Sequence, residues 1–467
     1  MSFWNRLAVH GAHPAVLEEG GPGLNYRELD AEVERVARSL ERWPGKVLGF
    51  LRLRNTTGSL IGYLAGLRAG HALMLLDEEL QPERAAHLQA LYGPSWVWQP
   101  LSRGPDALIS SHGHGLFPLS SREEVVIHPS LALLLTTSGS TGSPKAVRLA
   151  GTALQANAEA IVAYLQLHPG ERPVTTLPMH YSYGLSVVNS HLAAGATLLM
   201  TGRSLVSREF WAFCRQERAT SLAGVPYTYG MLERLRFSGM ALPHLKTLTQ
   251  AGGRLEADAV RRFGEQARQH GRRFFVMYGQ TEATARIAYL HPDKVLSKPG
   301  SIGQAIPGGN LSLERDGRPV EPGEEGELIY RGPNVMLGLA ESRADLARGD
   351  ELGGRLATGD LGRVDEEGDY FITGRTKRFI KLHGQRLNLD EVEKELLDGG
   401  WDCACGGRDN LLAVALLPGQ AVDRLPAELS RRFGLHHSVI RCIEVAVFPR
   451  SAAGKLLYDN LFAGQLS

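Results

Sequence analysis

Apolar and polar residues alternate along this chain with two periods, and the switches between them mark its elements. From Asn25 onward, Tyr26, Leu29, Val33, Val36, Ala37 and Leu40 recur at three- and four-residue spacing with charges between them. That spacing predicts an amphipathic helix with one face on a core, and Asn25 and Glu28 stand where a capping box would start it. Short continuous apolar runs at 47–51 and 72–76 predict buried strands, with a helix at 60–68 between them. The rhythm continues with a helix at 153–165, strands at 174–177 and 196–200, a helix at 210–216 and strands at 245–249 and 274–277. Strands alternating with helices favour a mostly parallel sheet and an α/β class.

Beyond about residue 300 the texture changes. Glycine, proline and acidic residues become dense, and short β-like runs such as 327–330 lie between turns, which predicts an antiparallel barrel or sandwich-like subdomain. A strand-like run at 370–372 leads into a basic cluster, Arg375, Lys377 and Arg378, read as a linker. The remaining residues suffice for a small α+β unit, with a helix at 390–397, a strand at 411–417 and a last strand at 444–448. The expected architecture is therefore a large domain, 1–376, of mixed α/β sheets with a β-rich subdomain, followed by a small mobile α+β domain, 377–467.

Composition narrows the function classes. The 467 residues exceed one ordinary domain, and 43% hydrophobic with 22% charged residues is globular usage. Lys+Arg 51 against Asp+Glu 50 leaves a formal charge of +1, which argues against nucleic acid or an anionic membrane surface as partner. Four cysteines, Cys214, Cys403, Cys405 and Cys442, are too few for a disulfide framework and fit a reducing cytoplasm. Cys403 and Cys405 are too close for a redox Cys-x-x-Cys and lack a second pair for zinc. No apolar run reaches the length of a membrane span, so a soluble, cytoplasmic protein is expected.

Candidate chemistry centres on a loop behind the apolar run Leu133, Leu134 and Leu135. It reads Thr137, Ser138, Gly139, Ser140, Thr141, Gly142, Ser143, Pro144, Lys145. Glycines let a backbone approach a ligand, hydroxyls and N–H groups suit phosphate oxygens, and Lys145 adds a compact charge. The same composition describes a flexible surface turn, and a Walker loop is excluded because no Gly-Lys-Ser/Thr occurs. Tyr278, Gly279, Gln280, Thr281 and Glu282 follow the strand at 274–277. In open α/β sheets ligands bind at the strands' carboxyl ends. There a carboxylate can hold magnesium and a tyrosine can stack on a base, although a plain turn has the same residues. Thr358, Gly359 and Asp360 place a carboxylate in a tight turn, either a ribose anchor or a local cap. Gly374, Arg375, Thr376 and Lys377, then Gly454 and Lys455, add cations.

In their joint order these five segments resemble the adenylate-forming superfamily of acyl-CoA synthetases, stand-alone adenylation domains and luciferase. The resemblance spans most of the chain and implies ATP, Mg²⁺ and coenzyme A, or a carrier protein's phosphopantetheine arm, as cofactors and partners. By that resemblance the loop 138–145 wraps the β- and γ-phosphates, Glu282 holds magnesium and Thr281 sits by the α-phosphate. Gly252, Gly253, Arg254, Tyr278 and Gly279 frame the adenine end, and Asp360 and Arg375 bind ribose. Lys455 is the catalytic cation of adenylation, Lys377 the hinge of the small domain, and Gly384 lies on the face offered to the thiol.

Departures from the family pattern bear on the substrate. Where acyl-CoA synthetases commonly have a histidine, Tyr181 stands here, preceded by His180, and Leu389 replaces a frequent proline. No carboxylate occurs in 179–182, which disfavours an α-amino acid. The expected acid pocket, by family position, comprises His180, Tyr181, Ser182, Tyr183, Tyr227, Ala251, Met277, Gly279 and Arg286. Its tyrosines and methionine suit an aryl or medium acyl chain and equally suit ordinary core. Arg286 is able to pair with a second carboxylate or a phosphate, but is expected to be a solvated edge charge. The expected function is acyl-adenylate formation followed by thioester formation with coenzyme A. Loading of a carrier protein and a non-catalytic nucleotide-binding role are the alternatives.

Overall fold

The computed structural model describes residues 2–103, 107–119, 126–136, 145–321, 323–376, 378–382, 385–433, 435–450, 454 and 456–465. Two compact units emerge, the first drawn from Met1–Gly139, Ser143–Leu311 and Tyr330–Leu356, the second chiefly from Ser312–Ile329 and Ala357–Ser467.

In the first unit the opening helix, Tyr26–Leu40, buries the six apolar residues whose spacing predicted it. Its start is a reciprocal cap: the Glu28 N–H donates to Asn25 Oδ1 at 3.0 Å, and the Asn25 N–H donates to the Glu28 carboxylate at 2.8 Å. One sheet sets Leu48–Leu53, Ala72–Asp77 and Leu131–Thr136 parallel. Ala146–Ala150 runs antiparallel to the last of these, with Thr136 opposite Ala146. The described residues on either side of 137–144 are thus neighbours across a ladder.

A second sheet in the same unit supplies the carboxyl ends that matter below. Ser221–Gly224, Thr247–Gln250 and Arg273–Tyr278 lie side by side and parallel, with Ser221 opposite Thr247 and Thr247 opposite Arg273. Continuous apolar runs suit strands covered on both faces. Helix Ala257–Gln269 puts Val260, Phe263 and Ala267 into this core. Tyr229 meets Phe263 edge-on at 4.8 Å between ring centroids and tilts against Phe274 at 5.5 Å. Each fully buried ring of this kind contributes roughly 1.5–3 kcal/mol of transfer free energy. Because the three strands run parallel and in register, residues just past Gly224, Gln250 and Tyr278 share one edge.

The second unit contains the antiparallel pair expected of the β-rich stretch, with Asp360 of Arg355–Val364 opposite Arg375 of Tyr370–Arg375. It also contains a hairpin, Phe379–Leu382 with Gln385–Asn388, and a three-stranded sheet, Cys403–Arg408, Leu411–Leu416 and Ile440–Glu444, covered by helices Leu389–Asp398 and Leu425–Phe433. Two expectations are corrected here. The last strand is not 444–448 but Ile440–Glu444, because parallel pairing of Leu412 with Ile440 sets Ile440 and Cys442 against the core, while Val447 stands 72% exposed. Helix Leu425–Phe433 was not anticipated. Arg378, read as part of a basic linker, is instead folded inward. It pairs with Asp390 at 2.6 Å and Glu393 at 3.0 Å and lies 3.8 Å over the ring of Tyr458, whose hydroxyl donates to Glu393 at 2.6 Å. All four cysteines are free. Among the described residues no helix is long and apolar enough to cross a membrane.

Candidate active site

The carboxyl edge of the parallel strands in the first unit gathers three of the predicted segments. Ala251 is buried, its N–H donating to Gly224 O at 3.2 Å. Gly252 adopts φ +80°, and a Cβ there would come within 2.5 Å of the Tyr181 hydroxyl, so only glycine lets this turn close on Tyr181. Gln250 donates to Gly253 O at 2.8 Å and holds the turn, while Arg254 points outward, 4.0 Å from Glu256. On the next strand Tyr278 is half-buried and accepts from the Gln280 amide at 3.0 Å.

The segment that follows folds back sharply. A Cβ at Gly279 would lie 1.7 Å from the carbonyl oxygen of Ala285, so the loop's return path requires that glycine. Thr284 and Ala285 have φ of 60° and 147°, conformations that cost L residues of order 1–3 kcal/mol each. Asn334, which sequence reasoning missed, compensates. It is buried, its amide donates to Ala283 O at 2.7 Å and Arg286 O at 2.8 Å, and its oxygen accepts from Tyr330 at 2.7 Å. Thr284 closes the ring by donating to Asn334 O at 2.6 Å. The only sequence signal was an asparagine after Gly332 and Pro333, which any surface turn also shows.

This turn presents Thr281 and Glu282 at the strand end. The hydroxyls of Thr281 and Ser182 share a hydrogen bond of 3.1 Å, joining the turn to the start of helix Ser182–Ala193. Glu282 is half-buried, and its carboxylate makes no ion pair or hydrogen bond with another described side chain. A single free carboxylate fits magnesium, which binds through one or two carboxylates plus phosphate oxygens and keeps several waters. No group of three metal-ligating side chains occurs among the described residues.

The predicted pocket wall is mostly interior. Tyr181 and Tyr183 pack edge-on at 6.4 Å, and Tyr183 donates to Thr249 O at 2.9 Å. Burial pushes the Tyr181 phenol up to about 12 and the Tyr183 phenol higher still, against the pull of Arg286, so both are neutral. Met277 is buried, its sulfur accepting from Tyr164 at 3.0 Å. His180 lies 3.8 Å from Asp77 and is held below its usual value by burial, with Asp77 opposing. Tyr227 differs from expectation: at the second position of helix Pro226–Arg234 it stands 52% exposed rather than packed in a wall. Arg286 differs more. It is not a solvated edge charge but 2% exposed, its guanidinium 4.1 Å over the ring of Tyr183.

The other predicted residues are placed as follows. Lys145 pairs with Glu341 at 2.7 Å. In the second unit Arg375 donates through Nε to the buried Asp360 carboxylate at 3.0 Å, and the Thr376 N–H donates to Gly359 O at 2.8 Å. The proposed ribose pair is therefore adjacent. Thr137, Ser138, Gly139, Ser140, Thr141, Gly142, Ser143, Pro144, Lys377, Gly384 and Lys455 lie outside the described residues.

Comparison with known proteins decides the family, because a model described as "AMP-binding enzyme" matches residues 3–340. The chain belongs to the AMP-binding enzyme family. Among curated members it is 29% identical over 413 residues to feruloyl-CoA synthase of Amycolatopsis sp., covering 84% of this chain and 81% of that protein. It is 30% identical over 362 residues to indoleacetate–CoA ligase of Aromatoleum aromaticum, covering 72% and 68%. Its fold matches that of the AMP complex of O-succinylbenzoate coenzyme A synthetase from Bacillus subtilis, with TM-score 0.79, 22% identity and 98% of each chain covered. The α/β architecture with a small C-terminal α+β unit is thus the fold of that synthetase.

Proposed function

We propose that this AMP-binding enzyme activates a carboxylic acid with ATP, releasing pyrophosphate, and passes the acyl group from the resulting acyl-adenylate to coenzyme A. Family membership and relatives named as acid–CoA ligases support the reaction type. The observation in this chain that carries it is the strand-end turn, where Thr281, hydrogen-bonded to Ser182, stands next to a half-buried Glu282 whose carboxylate pairs with no other described side chain.

Each side chain then has a task. The Glu282 carboxylate would hold magnesium, which when bound neutralises charge on the phosphates. Thr281 would orient the α-phosphate by its hydroxyl, with Ser182 fixing its rotamer. Gly252, Gly253, Arg254, Tyr278 and Gly279 would border adenine, and Asp360 would accept from the ribose hydroxyls with Arg375 beside it. The loop 137–145 would grip the departing pyrophosphate. Lys455 would donate to the oxygens that gain charge as pyrophosphate leaves, a contribution made mainly in the transition state. Residues 377–467 would then turn about Lys377 and offer the face at Gly384 to the thiol, completing a second site. The buried, uncharged tyrosine walls suit an aryl or medium acyl group. Four free cysteines accord with a cytoplasmic setting.

Incubating the enzyme with ATP, Mg²⁺, a panel of aryl and alkyl acids and either coenzyme A or a phosphopantetheinylated carrier protein tests this reading. Mass spectrometry is expected to find an acyl-CoA thioester. Acylation of the carrier alone would replace coenzyme A as the acceptor, and no adenylate with any acid would overturn the reading.

A further inference from the structure

Arg286 is a buried cation with no counter-charge among the described residues. It is 2% exposed, its Nε has no hydrogen-bond partner, and among the described residues it forms no ion pair. The groups against it are neutral. Tyr183 offers a ring face at 4.1 Å, and Tyr164 and Tyr181 are phenols that burial keeps protonated. A guanidinium keeps its proton in proteins, so it cannot escape desolvation by neutralising. An isolated charge in a dry interior is strongly disfavoured, and such groups are ordinarily paired.

The surroundings show why it is there. Arg286 lines a small cavity between helices Gly151–Leu165 and Ser182–Ala193 and the parallel sheet. The cavity also contains His191, whose Nδ1 donates to Val187 O at 2.8 Å and whose buried Nε2 has no partner, leaving one unused acceptor. Glu171 is the acidic group in the lining, and its carboxylate is already engaged by the Thr220 hydroxyl and lies 3.3 Å from His168. The backbone is strained to put Arg286 in this place: Thr284 and Ala285, the two residues before it, hold positive φ, and Asn334 and Asn157 both donate to Arg286 O. The Cα of Arg286 also lies beside Gly279, at the strand end where the acid's reacting carboxyl would be held.

We infer that the acid taken by this enzyme bears a second anionic group, a carboxylate at its distal end, which the Arg286 guanidinium receives within the cavity behind Tyr183. This rests on the ligase reading above and names its substrate class. The substrate is a dianion in which a short apolar spacer, aryl or alkyl, crosses the tyrosine wall. The planar fork of the guanidinium matches a carboxylate bidentately. With that anion bound, a buried, unpaired cation becomes a buried pair.

The test uses matched acids in ATP–pyrophosphate exchange with the whole enzyme: cinnamate against 4-carboxycinnamate, and hexanoate against adipate. In at least one pair the dianion is expected to exceed its parent in kcat/KM by 30-fold or more, as roughly expected when a buried charge gains or lacks its partner. Arg286→Met is expected to abolish that preference, and Arg286→Lys to retain part of it. A second readout separates binding from a structural role. Without substrate, Arg286→Met should leave the urea midpoint unchanged or raise it, since replacing an unpaired buried charge by an apolar side chain is neutral or stabilising. Wild-type exchange with the monoanions alone would overturn the inference while leaving the ligase reading intact. So would a lower midpoint for Arg286→Met in the absence of substrate with the preference retained. Exchange with neither set would overturn both.

Discussion

Asn334→Ala is the substitution whose consequence the structure determines most fully. The side chain makes three buried hydrogen bonds, to Ala283 O, Arg286 O and the Tyr330 hydroxyl, all between 2.7 and 2.8 Å. Alanine would strand the Tyr330 hydroxyl, while Ala283 O keeps the Ala285 N–H at 2.7 Å and Arg286 O keeps a long bond to Asn157 at 3.4 Å. A buried polar group left unpaired costs about 1–3 kcal/mol and each of the two bonds lost from carbonyls that stay paired about 0.5–1.5 kcal/mol, about 2–6 kcal/mol together. Relaxation of the positive φ at Thr284 and Ala285 returns some of this, each being worth about 1–3 kcal/mol. The expected net loss is about 2–5 kcal/mol in urea unfolding. Tyr330→Phe removes one of the three bonds and should cost about 1–2 kcal/mol, and the double variant should fall well short of the sum because the two side chains share a bond. The same turn carries Thr281 and Glu282, so KM for the acid and turnover should both worsen in Asn334→Ala. A loss below about 0.5 kcal/mol with unchanged kinetics would refute the reasoning, since that is the range of ordinary surface substitutions.

Further outcomes follow from other contacts. Gly279→Ala places a methyl group where the Ala285 carbonyl lies, so the turn must shift, and pyrophosphate exchange is expected to fall about 100-fold or more. His191 is buried and its pKa is lowered to about 4 by desolvation, well below the ordinary 6.5. The unfolded chain therefore binds the proton more readily. Its contribution is complete above about pH 6.5 and is lost as pH falls toward 4, by up to about 3 kcal/mol. His191→Gln should flatten the urea midpoint between pH 7 and 4.5, and an equally steep profile in that variant would contradict the assignment. In the second unit Arg378→Ala leaves Asp390 and Glu393 without their cation, at a cost of about 3–5 kcal/mol. Limited proteolysis should then cut 378–465 preferentially, and unchanged resistance would argue against the network.

What the sequence revealed depended on whether local pattern or long-range packing decides the outcome. The helix Tyr26–Leu40 was legible to its cap, because capping and amphipathic spacing are local. The strand Arg273–Tyr278 and its turn were legible because a β-run ended by Gly279 can hardly continue. Asp360 and Arg375 were assigned to one ribose only through the order of motifs, since the fourteen residues between them obscure a register that the ladder makes plain. Arg286 was misread for a physical reason. An arginine is normally exposed, and its burial follows from positive φ at two residues that disfavour it, held by an asparagine far along the chain. The last strand was misplaced because 445–448 is a continuous apolar run, whereas the parallel register against Leu411–Leu416 selects 440–444. Helix Leu425–Phe433 was missed because its buried face is only Leu425 and Leu429.

The central claim is that the strand-end turn binds the metal–nucleotide for acid-dependent adenylation. ATP–pyrophosphate exchange in wild type and Glu282→Gln, measured with an acid panel across a Mg²⁺ titration, tests it most directly. The account predicts exchange that requires an acid, and in Glu282→Gln a loss of at least about 100-fold at low Mg²⁺ that high Mg²⁺ partly restores. Acid-independent exchange, or full activity of Glu282→Gln with an unshifted Mg²⁺ dependence, would contradict it.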